Sequence, residues 1–144
     1  MKFLIGQEKY FWNFVDSMKK EYKVGIITHT DLDGIASGVF LEEILKQKNI
    51  LTDSIEFIEY GKGMFDKPLE KFRKNKITKV FLTDMNADVS DSDGFERLRD
   101  NFDCFLIDHH PVNQELKNKK NVLKSHTDDC SAWVLYYFLK KLKD

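Results

Sequence analysis

Only two cysteines occur in the 144 residues, Cys104 inside an apolar run and Cys130 beside a helical pattern. Two thiols cannot build the dense disulfide framework of a small secreted fold, so each is expected to be a buried free thiol. Prolines number two and glycines seven, with no repeat or low-complexity tract, which leaves no Pro/Gly-rich linker at which the chain could divide. Net charge is missing too. The 23 basic and 24 acidic residues sum to −1, so no global field draws in a polyanion, and a phosphate-bearing partner has to be held locally by a patch or a metal. The opening MKFLIG run is broken by Gln7, Glu8 and Lys9, too short for the apolar region of a signal peptide. Nothing later approaches the ~20 apolar residues of a membrane span. These absences lead to the expectation of a cytoplasmic protein with no membrane partner and one domain with one core.

What remains is a strongly patterned chain. Tyr10, Phe11, Phe14 and Met18 fall at helical spacing and predict a helical extension over residues 1–22. From Lys23 onward, short β-branched or aromatic runs alternate with amphipathic stretches. The strand-like runs are 23–28 (KVGIIT), 54–59 (SIEFIE), 79–83 (KVFLT), 103–107 (DCFLI) and 121–124 (NVLK); the helical stretches are 35–48, 67–75, 93–102 and 131–142. Val39, Leu41, Ile44 and Leu45 form the apolar stripe of the first helical stretch, and Pro68 suits the first turn of the second. Trp133 and Tyr137, four residues apart, are expected to face inward together. The β-α-β-α order predicts an α/β core over residues 23–144, a doubly wound, mainly parallel sheet of about five strands with helices on both faces. In open sheets of this kind, ligands sit beyond the carboxyl ends of the strands, near a topological switch point.

Those strand ends carry the chemistry. The first strand runs into His29, Asp31 and Asp33, with Gly34 permitting a tight entry to the next helix. The third ends at Asp84, and the fourth at Asp108, His109 and His110, where Pro111 stops further extension. Any one of these aspartates has an ordinary reading as a turn former or helix cap, Asp33 for the helix starting near Ile35 in particular. As a set they repel one another strongly unless a cation neutralises them. Aspartate and histidine without cysteine suit Mn²⁺ or another imidazole-tolerant divalent ion better than an all-oxygen cage, and two such ions would serve hydrolysis of a phosphoester.

The segments HTDLDG at 29–34, Asp84, DHH at 108–110 and DCSAW at 129–133 together resemble the DHH phosphoesterase superfamily, in its RecJ-like and oligoribonuclease-like branch. The resemblance spans roughly residues 23 to 142. It implies that His29 and Asp31 hold one Mn²⁺, that Asp33 and His109 hold a second, and that Asp84 serves both, with Mg²⁺ as a substitute. It implies that His110 contacts the scissile phosphate, that Asp108 orients its neighbours, and that no side chain becomes covalently modified. The substrate implied is single-stranded DNA or RNA, or short oligonucleotides.

The family's fourth motif, another aspartate beyond the DCSAW-like helix start, has no counterpart before Asp144; Asp128 and Asp129 fall too early. A C-terminal substrate-binding domain is therefore expected to be absent, and a missing portion or a second chain to complete the site. The rival expectation is a catalytically inactive regulatory or scaffold subunit of a replication or repair complex. A phospho-accepting receiver domain shares the doubly wound fold, yet has no use for His109 and His110. The basic stretches 71–79 (KFRKNKITK) and 117–124 (KNKKNVLK) read as solvated faces in the absence of an RNA-binding motif. Gly61-Lys62-Gly63 lacks P-loop spacing, and His126 reads as a surface residue.

Overall fold

VGIITH, KVFLT and DCFLID place apolar residues at nearly every position, the composition of strands covered on both faces, and that is where the central strands form. The computed structural model describes residues 1–111, 113–116 and 120–143. In chain order the elements are β1 (Phe3–Ile5), α1 (Glu8–Asp16), β2 (Val24–His29), α2 (Leu32–Gln47), β3 (Thr52–Ile58), α3 (Asp66–Lys74), β4 (Lys79–Thr83), α4 (Ala87–Ser90), α5 (Ser92–Asn101), β5 (Asp103–Asp108), a single 3-10 turn (Gln114–Leu116), β6 (Val122–Ser125) and α6 (Ser131–Lys143). The fold is doubly wound α/β. Its sheet runs β1-β6-β5-β4-β2-β3, parallel throughout except for β1, which pairs antiparallel with β6.

Alternate residues of each central strand face opposite layers. Val24, Ile26, Phe81, Phe105 and Ile107 pack under α1, α2 and α6; Ile27, Val80, Leu82, Cys104 and Leu106 pack under α3 and α5. Chain order reverses between β2 and β4, since β2 leads outward to β3 while β4 lies on its other side. Thr28 and Thr83 are register partners across that reversal, and the Thr83 hydroxyl donates to Thr28 Oγ1 at 2.8 Å. The Thr28 hydroxyl donates in turn to the Gly34 carbonyl at 2.7 Å. A Cβ on Gly34 would stand 2.0 Å from the His29 carbonyl oxygen, so only glycine lets the start of α2 fold back so closely on the end of β2.

Several expectations need correction. The sheet of about five strands counts six, because the opening residues, read as helical, also supply β1. The opening segment accordingly contributes Ile5, Phe11, Phe14 and Val15 to the core: Phe11 is fully buried, stacked on Phe138 at 4.8 Å and edge-on to Phe105 at 5.8 Å. The buried stripe of α2 runs through Gly34, Ser37 and Gly38, small residues that allow close packing, and on through Leu41, Ile44 and Leu45, and leaves Val39 56% exposed. On α6 the inward face is Ser131, Val134, Leu135, Phe138 and Leu139, so Trp133 lies outside it at 52% exposure. Cys104 is buried as expected, whereas Cys130 is exposed just before α6. The first basic stretch borders the end of the sheet remote from the aspartates, with Lys71 paired to Glu56 and Lys79 to Asp103. Of the second, residues 117–119 lie outside the described residues, Lys120 is exposed, and Lys124 is wholly buried. Among the described residues no helix is long and apolar enough to cross a membrane.

Phe11→Ala should lower folding stability by about 3–5 kcal/mol, the cost of a large cavity in a core of aromatic rings. Urea denaturation of the variant against the unaltered protein checks this, and a loss below about 1 kcal/mol would mean that the segment packs loosely.

Candidate metal centre

The carboxyl ends of β2, β4 and β5 lie side by side, so the residues that follow each strand meet although they are far apart in sequence. From β2 come His29, Asp31 and Asp33. Asp31 caps α2, accepting from the Gly34 amide at 2.8 Å, a role expected for Asp33 near Ile35. Asp33 reaches across to α6 instead, accepting from the Ala132 amide at 2.7 Å and the Ser131 amide at 3.2 Å. A carboxylate fits there because the first amides of a helix have no partner within it. The small residues of the DCSAW segment let the helix start come this close.

Asp84 follows β4 with φ at +57°, a left-handed backbone that aspartate tolerates better than most residues and that recurs at functional positions. Its side chain is 2% exposed. Oδ1 lies 3.1 Å from His109 Nε2, and Oδ2 lies 4.0 Å from His29 Nδ1, has no hydrogen-bond partner and is buried. From β5, His109 also approaches Asp33 Oδ2 at 3.3 Å. His110 Nδ1 sits 2.6 Å from Asp108 Oδ1, and since a carboxylate only accepts, Nδ1 carries the hydrogen.

All seven residues singled out in the sequence therefore stand in one cluster. Donor atoms of His29, Asp31 and Asp84 lie within 4.8 Å of one another, as do those of Asp84, Asp108, His109 and His110; Asp33 joins through His109. Asp84 is common to both groups. The Asp84 Oδ2 to His29 Nδ1 separation is too long for a hydrogen bond and suits two ligands of one cation. An unpartnered buried carboxylate oxygen facing an imidazole nitrogen makes the donor set a good fit for divalent metal. Asp108 differs, since Oδ1 is taken by His110 and Oδ2 faces the Lys124 ammonium at 3.3 Å.

Electrostatics follow from these contacts. Burial, together with Asp33 and Asp31, pushes the Asp84 carboxyl up to about 6, against the pull of the His109 hydrogen bond. Hydrogen bonds to Asp33 and Asp84 hold the His109 imidazolium to about 10. Burial opposes ionisation of Asp33, but His109 and the two helix amides outweigh it and bring its carboxyl to about 2. Burial also opposes ionisation of Asp108, yet His110 and the Lys124 charge keep it below the usual range.

Three contributors escaped the sequence reading. Glu59 and Tyr60 follow β3 at the same edge of the sheet. Glu59 Oε2 lies 3.3 Å from His29 Nε2, leaving Nδ1 turned toward Asp84. Tyr60 stacks on His29 with centroids 3.9 Å apart and donates its hydroxyl to the Asp84 carbonyl. Burial and the surrounding carboxylates raise its phenol well above the ordinary value. Their signal in the sequence is their place directly after a strand, the same as that of the other site residues. Lys124, the third, sits in a strand pattern where a charge signals a buried partner.

Comparison with known proteins places the chain in a family and its fold among known ones. The model of the DHH family, N-terminal domain, matches residues 23–143. An uncharacterized protein of Methanocaldococcus jannaschii is 30% identical over 88 residues, which is 61% of this chain and 19% of that protein. The exonuclease RecJ bound to manganese superposes with a TM-score of 0.69 at 15% identity, covering 99% of this chain and 38% of RecJ. CDC45 from Entamoeba histolytica gives a TM-score of 0.63 at 15% identity over 94% of this chain and 29% of CDC45. The chain thus spans about a fifth to two fifths of these proteins.

The pairing of His109 sets a pH dependence. Its folded value lies above the ordinary 6.5, so in the absence of metal its contribution to stability is complete below that value and is lost as pH rises toward about 10. A divalent metal held by His109 would have to displace the same proton, so its affinity should rise with pH across that window, with protons released on binding near neutrality. Calorimetry in two buffers of unequal ionisation enthalpy measures the release, and identical heats in both would contradict the assignment.

Proposed function

Since the chain belongs to the DHH family, we propose that it is a metal-dependent phosphodiesterase acting in the cytoplasm on single-stranded nucleic acid or short oligonucleotides. The observation that carries this reading is Asp84, buried, shared by two groups of Asp and His donors, and left with an oxygen that no protein hydrogen bond satisfies. In this reading His29 and Asp31 hold one Mn²⁺, Asp33 and His109 hold another, and Asp84 serves both, with Mg²⁺ able to substitute. The ions would activate water and neutralise the charge that develops on the phosphoryl oxygens.

The chain's own residues do the positioning. Glu59 accepts from His29 Nε2–H and so keeps the Nδ1 lone pair facing the centre, the usual arrangement of a carboxylate behind a ligating histidine. Asp108 fixes the ring of His110 through its Nδ1–H, and Nε2, when it too carries a hydrogen, would donate to a phosphate oxygen of the substrate. Manganese in RecJ, and the exonuclease activity named for it, support the choice of metal and of nucleic acid for a chain of the same fold. A further segment or a second chain would grip the substrate. The rival reading, a regulatory or scaffold subunit without catalysis, has no use for donors converging on an unsatisfied carboxylate.

Mn²⁺-dependent cleavage of 5′-labelled single strands and of di- to pentanucleotides tests the proposal. Asp84→Asn should lower turnover by at least about 100-fold and weaken Mn²⁺ binding, with the fold retained. Unchanged Mn²⁺ affinity in that variant would refute the shared-ligand role of Asp84. Tight Mn²⁺ binding with no turnover on any of these substrates would favour the scaffold.

A further inference from the structure

Lys124 is the largest departure from what its sequence neighbourhood suggests. It lies on β6 between Leu123 and Ser125, completely buried. Its ammonium contacts Asp88 Oδ1 at 2.8 Å, the Pro111 carbonyl at 3.0 Å, Asp108 Oδ2 at 3.3 Å and the His110 carbonyl at 3.5 Å. Asp88, on α4, is itself buried. One cation thus holds the side chain that precedes the paired histidines and the two carbonyls that follow them.

Stability alone is a poor reason for this arrangement. Burying an ammonium with two carboxylates carries a desolvation cost that commonly cancels the attraction, and apolar replacements of similar size often do as well. The contacts have a direction, however. Three of them tie β6 to the segment Asp108–Pro111, the fourth joins β6 to α4, and Asp108 passes the constraint on through its 2.6 Å hydrogen bond from His110 Nδ1. His110 then presents Nε2 beside the Tyr60 hydroxyl at 3.3 Å, with the two rings perpendicular.

We propose that Lys124, anchored by Asp88, is a positioning residue: it clamps Asp108 and the backbone after His110, and so fixes the ring orientation and tautomer of His110. The catalytic part of this proposal rests on the phosphodiesterase reading; the structural part does not. Without the clamp, Asp108 is free to turn and the Nδ1–H of His110 loses its fixed acceptor.

The obvious variant, Lys124→Met, leaves two buried carboxylates facing each other and is prone to unfold. The double variant Asp88→Asn/Lys124→Met removes one buried charge of each sign and retains Asp108. In the full chain with Mn²⁺, kcat on di- to pentanucleotides should fall about 10- to 100-fold in the folded double variant, while KM and Mn²⁺ affinity move far less. The ¹⁵N spectrum of His110 should lose its single Nδ1–H tautomer. An unchanged kcat together with an unchanged His110 spectrum overturns the proposal. If the unaltered chain cleaves none of these substrates, the phosphodiesterase reading fails by itself, and the His110 spectrum still decides: persistence of the Nδ1–H signal in the double variant rejects the clamp, and its loss supports it.

Discussion

Repulsion among Asp31, Asp33, Asp84 and Asp108, brought to one edge of a sheet, is the constraint that the surrounding structure answers. Two carboxylates about 4 Å apart oppose each other by about 4 kcal/mol at the dielectric of a partly covered site, so each must be compensated or the edge would splay. Three of the four have compensation within the protein. Asp31 takes the Gly34 amide in the first turn of α2, Asp33 the first two amides of α6, and Asp108 is held by His110 and Lys124. Asp84 is different, since His109 satisfies one oxygen and the other is left bare in a buried position.

That inequality gives the site its chemistry. Acids already bonded to helix amides and to lysine are fixed in place and serve as walls, whereas the bare oxygen at the centre marks where positive charge is wanted. The sheet makes the arrangement rigid. The strand order reverses between β2 and β4, the place where open sheets of this kind take ligands, and the bond between Thr28 and Thr83 ties the two strands together there. Side chains projecting from the strand ends of such a sheet hold their spacing better than side chains on long loops.

Much of this was legible in the sequence because parallel strands buried on both faces are short, apolar and separated by helical stretches, and because the residues after each strand fall on one edge. Only tertiary contacts reveal the rest. β1 has three residues, too few for any period, and its pairing with β6 is set by chain return. Val39 and Trp133 have the apolarity of core residues, but α2 turns Gly34 and Gly38 toward the end of β2, where an added Cβ would meet His29 and Thr28, and α6 turns Ser131, Val134 and Phe138 inward, which leaves Val39 and Trp133 exposed. Lys124 was hidden by the lysines before it, because charge density reads as solvation when the acidic partners lie 16 and 36 residues away.

Diffraction from crystals grown with Mn²⁺, recorded at the manganese absorption edge, tests the central claim most directly. The account predicts two anomalous peaks flanking the Asp84 carboxylate, one beside His29 and Asp31 and the other beside Asp33 and His109. A map with no peak at Asp84, or with manganese bound only elsewhere on the surface, would contradict it.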